Sequence, residues 1–168
     1  MFKGKKAAFY TLGCKLNFSE TSTIGRQLSD IGFSKTEFEK KADLYVINTC
    51  SVTENANREC RRIIRKAKKN SPESFIVVTG CFAQLKPKEI SKIKGVNLVI
   101  GSNEKFRLKK YIKEFLENKK TLVKVSDIKS IKHFNNAFSS EERTRSFLKI
   151  QDGCDYKCTF CTIPLARG

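Results

Sequence analysis

The stretch Phe75-Ile76-Val77-Val78-Thr79-Gly80-Cys81 decides the fold. Its first four residues are all apolar, as in a strand covered on both faces. It ends at Gly80, which permits a sharp turn without steric penalty. The same design occurs twice upstream. Leu44-Tyr45-Val46-Ile47 runs into Asn48-Thr49-Cys50, and Lys6-Ala7-Ala8-Phe9-Tyr10-Thr11-Leu12 runs into Gly13-Cys14. Asn97-Leu98-Val99-Ile100-Gly101 reads as a fourth strand.

Helical patterns separate these strands. Asn17-Phe18-Ser19-Glu20 has capping-box form, Ile24, Leu28 and Ile31 give the helix after it one apolar face, and Gly32 stops it. Ser51-Val52-Thr53-Glu54 repeats the capping form, ahead of a buried stripe of Ala56, Cys60, Ile63, Ile64 and Ala67. Ser71-Pro72 breaks the chain, and Pro87 suits the first turn of a short helix. Ser102 is placed to cap a long last helix with the stripe Leu108, Tyr111, Ile112, Phe115 and Leu116. This alternation predicts an α/β fold: a parallel sheet of four or five strands in flavodoxin-like or Rossmann-like order, with helices on both faces. Thr121–Val125 is a candidate edge strand within an otherwise polar linker, and Ser146-Phe147-Leu148-Lys149-Ile150 reads as the first strand of a second α/β unit.

Thirteen Phe and 39% hydrophobic residues argue for a folded core in a chain of 168 residues. There is no apolar run long enough to span a bilayer and no signal peptide, so a cytoplasmic protein is expected. In that setting seven cysteines, an odd number, read as thiols available to metal rather than as disulfides. A net charge of +17 predicts attraction to polyanions, nucleic acid first. Arg58, Arg61, Arg62, Arg65, Lys66, Lys68 and Lys69 crowd the predicted second helix. That face is either merely solvated or lies along a phosphate backbone.

The cysteines form two sets. In Cys154-Asp155-Tyr156-Lys157-Cys158-Thr159-Phe160-Cys161 three thiols share one loop, no fourth Cys or His follows, and His133 lies upstream in a polar stretch. Three thiolates with a vacant position suit a 4Fe–4S cubane with one open iron; a zinc knuckle completed by another chain is the alternative. Cys14, Cys50 and Cys81 each follow a predicted strand, so a parallel sheet would bring them to one edge, where open α/β folds bind ligands. They are either a second three-cysteine cluster site or three buried structural thiols. Cys60, on an apolar stripe, reads as core.

The spacing Cys-x3-Cys-x2-Cys resembles that of the radical S-adenosylmethionine (SAM) enzymes. Thr11-Leu12-Gly13-Cys14-Lys15-Leu16-Asn17, Asn48-Thr49-Cys50, Thr79-Gly80-Cys81 and Gly153-Cys154 through Arg167-Gly168 together resemble the methylthiotransferase family. The resemblance implies two 4Fe–4S clusters: an auxiliary one on Cys14, Cys50 and Cys81 that delivers sulfur, and one on Cys154, Cys158 and Cys161 that binds and cleaves SAM. It implies methylthiolation of tRNA beside the anticodon, with an electron donor as further partner and no membrane. Lys15-Leu16-Asn17 is most similar to the branch acting on N6-threonylcarbamoyladenosine. The alternatives are the isopentenyladenosine branch, a branch acting on a ribosomal protein, and a non-catalytic iron–sulfur RNA-binding module. No catalytic side chain beyond the cysteines is identified. The implied organisation is an N-terminal methylthiotransferase domain at 1–118, a linker at 119–145, and at 146–168 the beginning of a radical SAM partial barrel whose remaining strands and helices are missing. The tail from Phe147 is then expected to be mobile or irregularly packed, and the chain by itself to be inactive.

Overall fold

The computed structural model describes residues 2–50, 54–118, 120–130, 133–140, 144–156 and 158–168. Strands β1 (Lys6–Thr11), β2 (Ser34–Thr36), β3 (Leu44–Thr49), β4 (Phe75–Gly80), β5 (Leu98–Ile100) and β6 (Leu122–Lys124) form one sheet. Its order is β2-β1-β3-β4-β5-β6 and every pairing is parallel. This is the flavodoxin-like doubly wound order extended by one strand, with its switch point between β1 and β3. Helices α1 (Lys15–Asp30), α2 (Glu54–Asn70), α3 (Cys81–Leu85), α4 (Pro87–Ser91), α5 (Leu108–Asn118) and α6 (Ile163–Arg167) complete the described elements.

Alternation along each strand divides the core into two layers. Tyr45 and Ile47 of β3 and Ile76 and Val78 of β4 pack with Cys60, Ile63, Ile64 and Ala67 of α2. Leu44, Val46 and Val77 face the other way, toward Ile24 and Leu28 of α1 and Leu108, Tyr111 and Ile112 of α5. With both faces covered, β3 is buried at all six positions, which explains its uninterrupted apolar run. Cys60 belongs to this core, as expected. Burial is the main force pushing its thiol pKa up to about 12, so it stays protonated and inert.

Several expectations fail for identifiable reasons. The sheet has six strands rather than four or five, because β2 is a three-residue, mostly exposed strand without an apolar pattern. Helix α1 starts at Lys15 with Cys14 at its N-cap and no side-chain cap, so Asn17 and Glu20 lie inside the helix, fully buried. Of the capping form at Ser51–Glu54, residues 51–53 fall outside the described residues, and α2 starts at Glu54. Ser102 caps no helix; its hydroxyl donates to the Ala166 carbonyl at 2.7 Å, and a 3-10 turn, Lys105–Arg107, leads into α5. Leu116 leaves the α5 stripe and is half exposed. The strand expected at Ser146–Ile150 reduces to a single antiparallel bridge between Phe138 and Leu148.

Gly80 makes the end of β4 possible. It holds φ of +96°, and a Cβ there would stand 2.3 Å from the Thr49 carbonyl oxygen. Gly80→Ala therefore meets backbone rather than a yielding side chain, and should destabilise the fold by roughly 2 kcal/mol or more. Urea denaturation measures this; an unchanged midpoint would mean that the strand end relaxes freely.

Candidate functional site

The sheet brings Cys14, Cys50 and Cys81 to the carboxyl ends of β1, β3 and β4, which are neighbours in the order β1-β3-β4. Thr49 pairs in register with Gly80, so Cys50 and Cys81 leave the sheet side by side. Gly13, at φ +98°, brings the β1 end close: a Cβ there would meet the Cys50 Cβ at 2.7 Å and Sγ at 3.0 Å. Cys14 is exposed, Cys50 half-buried and Cys81 buried, so the set runs from solvent into the protein. A cavity of about 390 Å³ opens beside Cys14, walled by Phe9, Phe18, Phe147, Lys15 and Lys35.

The second set lies in the loop before α6. Cys154 and Cys161 are half-buried and Cys158 is exposed. The Cys161 amide donates to the Cys158 carbonyl at 3.1 Å, and the Cys154 amide donates to the Gly168 carbonyl at 2.7 Å. Aromatic contact and charge hold the segment onto the sheet domain: Phe147 packs edge-on against Phe18 with ring centroids 6.0 Å apart.

Behind Cys81 lies a charged cluster that the sequence did not reveal. Glu20 is fully buried and faces three cations. Lys105 Nζ stands 2.7 Å from its Oε1, Lys149 Nζ 3.2 Å, and Arg167 Nη1 3.0 Å. Arg167 Nη2 reaches the other carboxylate oxygen at 3.1 Å, giving a two-pronged pair. Asp152 joins through Arg167 at 2.7 Å and through Lys149, with its side chain 22% exposed. Burial pushes the Glu20 pKa up, but Lys105 and Arg167, then Lys149, outweigh it and hold the carboxyl well below the usual range. For Lys105 the balance tips the other way: burial lowers its pKa and Arg167 repels it, against the pull of Glu20. Both partners of one pair thus shift down, because three cations attract Glu20 while Lys105 shares that single carboxylate.

Three cations against Glu20 and Asp152 leave one positive charge in excess. Lys105 Nζ, although ion-paired, has no aligned hydrogen-bond acceptor among the described residues. The excess is felt at Cys81. Burial raises this thiol's pKa above its ordinary value, and the charges of Arg167 and Lys105 offset part of that rise. A buried surplus of positive charge calls for an anion, and a thiolate or an anionic cluster on Cys81 supplies one. Among the described residues, no three His, Cys, Asp or Glu side chains gather tightly enough to share a single metal ion. A cubane takes each thiolate on a different iron, which asks for wider spacing than one ion does. On charge and donor type, the strand-end set therefore fits a 4Fe–4S cluster.

The cationic helix α2 is less free than its composition suggests. Arg61 pairs with Glu89, Arg62 with Glu59 at 2.5 Å and Lys66 with Glu39 at 2.9 Å, while Arg58, Arg65 and Lys69 are exposed. His133 borders a small cavity with Asn135, Asp152 and Arg167. Among the described residues, no helix is long and apolar enough to cross a membrane.

These features define a class: a doubly wound parallel domain with a cysteine-bearing carboxyl edge. The chain belongs to UPF0004, described as an uncharacterized protein family, whose match covers residues 6–101. It is 42% identical over 165 residues to the threonylcarbamoyladenosine tRNA methylthiotransferase MtaB of Bacillus subtilis, covering 96% of this chain and 36% of that protein. The protein of the same name from Aquifex aeolicus is 42% identical over 97% of this chain and 40% of its own length. A tRNA-2-methylthio-N(6)-dimethylallyladenosine synthase of Pelagibacter ubique is 31% identical over 98% of this chain and 38% of its own length. The chain thus spans between a third and two fifths of the length of these relatives.

Glu20→Gln leaves three buried cations with one carboxylate, and should cost about 3–5 kcal/mol. The parent should also lose stability in acid. A carboxyl held low in the folded state stabilises above its ordinary pKa of 4.5, and that stability drains away as pH falls below it. Thermal melts from pH 7 to pH 3 on both proteins check this; equal melting temperatures at pH 7 would contradict it.

Proposed function

We propose that this chain is the sulfur-donating and SAM-binding portion of a tRNA methylthiotransferase acting on N6-threonylcarbamoyladenosine next to the anticodon. The observation that carries the reading is the row of Cys14, Cys50 and Cys81 on adjacent strand ends, backed by surplus buried positive charge beside Cys81. The names of the relatives at 42% identity support the tRNA substrate and the threonylcarbamoyl branch over the dimethylallyl branch seen at 31%.

In this reading Cys14, Cys50 and Cys81 hold an auxiliary 4Fe–4S cluster, and Cys154, Cys158 and Cys161 hold a second. When bound, the two clusters supply sulfur and the reductive cleavage of SAM that together place a methylthio group on adenine. The protein's own residues do the placing. Gly13 and Gly80 let the thiols converge without Cβ clashes, and Lys105 and Arg167 offset negative charge at Cys81. Phe18 and Phe147, beside Cys14, offer aromatic surface on which a splayed base can stack. Exposed Arg58, Arg65 and Lys69 on α2 are free to approach phosphates and set position without reading sequence. Residues 1–118 act as the cluster-bearing domain, 119–145 as a connection and 146–168 as the start of the SAM-cleaving domain. A tRNA substrate supports the cytoplasm as the compartment in which the protein works, with an electron donor as its further partner.

Nucleosides of tRNA from a strain lacking the gene, analysed by mass spectrometry, test this. The 2-methylthio form of threonylcarbamoyladenosine should vanish, return with the full-length gene, and not return when Cys50→Ala is introduced. Loss of the methylthio-isopentenyl nucleoside instead, or intact tRNA with an unmodified ribosomal protein, would overturn the substrate assignment.

A further inference from the structure

Arg167 and Gly168 touch both cysteine sets at once. The Arg167 guanidinium grips both oxygens of Glu20, reaches Asp152 and donates to the Asn17 side-chain oxygen. Asn17 in turn donates to the Leu12 carbonyl at 2.8 Å and to the Thr49 carbonyl at 3.1 Å. Those two carbonyls lie at the ends of β1 and β3, just before Cys14 and Cys50. Helix α6, which carries Arg167, packs against α3, which begins at Cys81. One residue on, the Gly168 carbonyl accepts from the Cys154 amide at 2.7 Å. Gly153, at φ +76°, makes room for that contact, since a Cβ there would lie 1.8 Å from the Gly168 oxygen. One residue before, the Ala166 carbonyl is held by Ser102 just beyond β5.

We propose that Arg167 is a positioning residue: a strut that fixes the second cysteine loop relative to the strand-end cysteines. It works through Asn17 and Glu20 on one side and through the Gly168–Cys154 bond on the other. A planar guanidinium suits the task because its donors diverge in a fixed fork, and four acceptors on two segments, α1 and the loop at Asp152, can be served at once. A lysine offers one compact charge and cannot span them. Burial strengthens the arrangement: the Arg167 side chain is 2% exposed, so no water competes for these contacts. The sequence distance bridged, from Asn17 to Arg167, means that the strut closes only when the tail has docked.

The inference rests on the reading that both sets hold clusters, but the strut can be examined separately. Hydrogen exchange on the metal-free chain comes first. In Arg167→Lys, the amides of Cys154 and of α6 should exchange at least tenfold faster, while those of β1, β3 and β4 keep their protection. Lys5→Met, which removes an exposed ion pair with Asp43 at the amino ends of β1 and β3, should leave the Cys154 amide as it is in the parent. With iron and sulfide rebuilt, pulsed electron paramagnetic resonance should then find a broader distance distribution between the two clusters in Arg167→Lys, at unchanged iron content. A purely structural role would not move that distance while sparing the iron. Protection at Cys154 unaltered by Arg167→Lys, or an inter-cluster distance as sharp as the parent's, overturns the proposal. If the parent takes up no iron, the cluster reading fails, and exchange at Cys154 alone decides for or against the strut.

Discussion

The ion pairs of Glu20 govern how this molecule is put together. A lone carboxylate in a dry interior would be protonated or would unfold its surroundings. Here Lys105 from the turn before α5, Lys149 from the segment beyond the sheet, and Arg167 from α6 converge on it. Each cation comes from a part of the chain that the sheet alone does not fix. The carboxylate therefore gathers the strand ends, α1 and the tail into one unit. Buried ion pairs are not a general source of stability, since desolvation offsets much of their attraction. What they give is specificity: with Glu20 charged, a tail docked in any other way would leave cations or the carboxylate without partners.

The same cluster explains why the carboxyl edge suits an anion. Its positive surplus sits behind Cys81, the most buried of the three strand-end thiols, and opposes the effect of burial there. Cys14 stands at the N-cap of α1, on the exposed side of the set. Cys60 is buried in an apolar layer, where desolvation pushes its thiol pKa up to about 12. At Cys81 burial also raises the thiol's pKa, but the charges of Arg167 and Lys105 moderate the rise.

Much of this was legible in the sequence because it rests on periodicity. The apolar runs of β1, β3, β4 and β5 placed the strands, and the cysteines immediately beyond three of them placed the edge. Strand β2 was not legible, since a three-residue exposed strand carries no pattern. The Glu20 cluster was invisible for another reason. Its members at 20, 105, 149, 152 and 167 are far apart in sequence, and each matches a commoner role. Asn17 and Glu20 together imitate a capping box, and only the start of α1 at Lys15 shows that they face inward. The Ser146–Ile150 run is likewise ambiguous. Lys149 is drawn to Glu20, while Leu148 and Ile150 remain 70% and 84% exposed, so the segment docks by charge rather than by pairing.

Iron content is the most direct measure of whether the strand-end cysteines are a metal site. The chain, rebuilt anaerobically with iron and sulfide, should bind about eight irons, four for each set of three thiolates. With Cys14, Cys50 and Cys81 all changed to Ala, about four should remain. A triple variant that keeps the parent's full iron content would contradict the cluster at the sheet edge and leave those thiols a structural role.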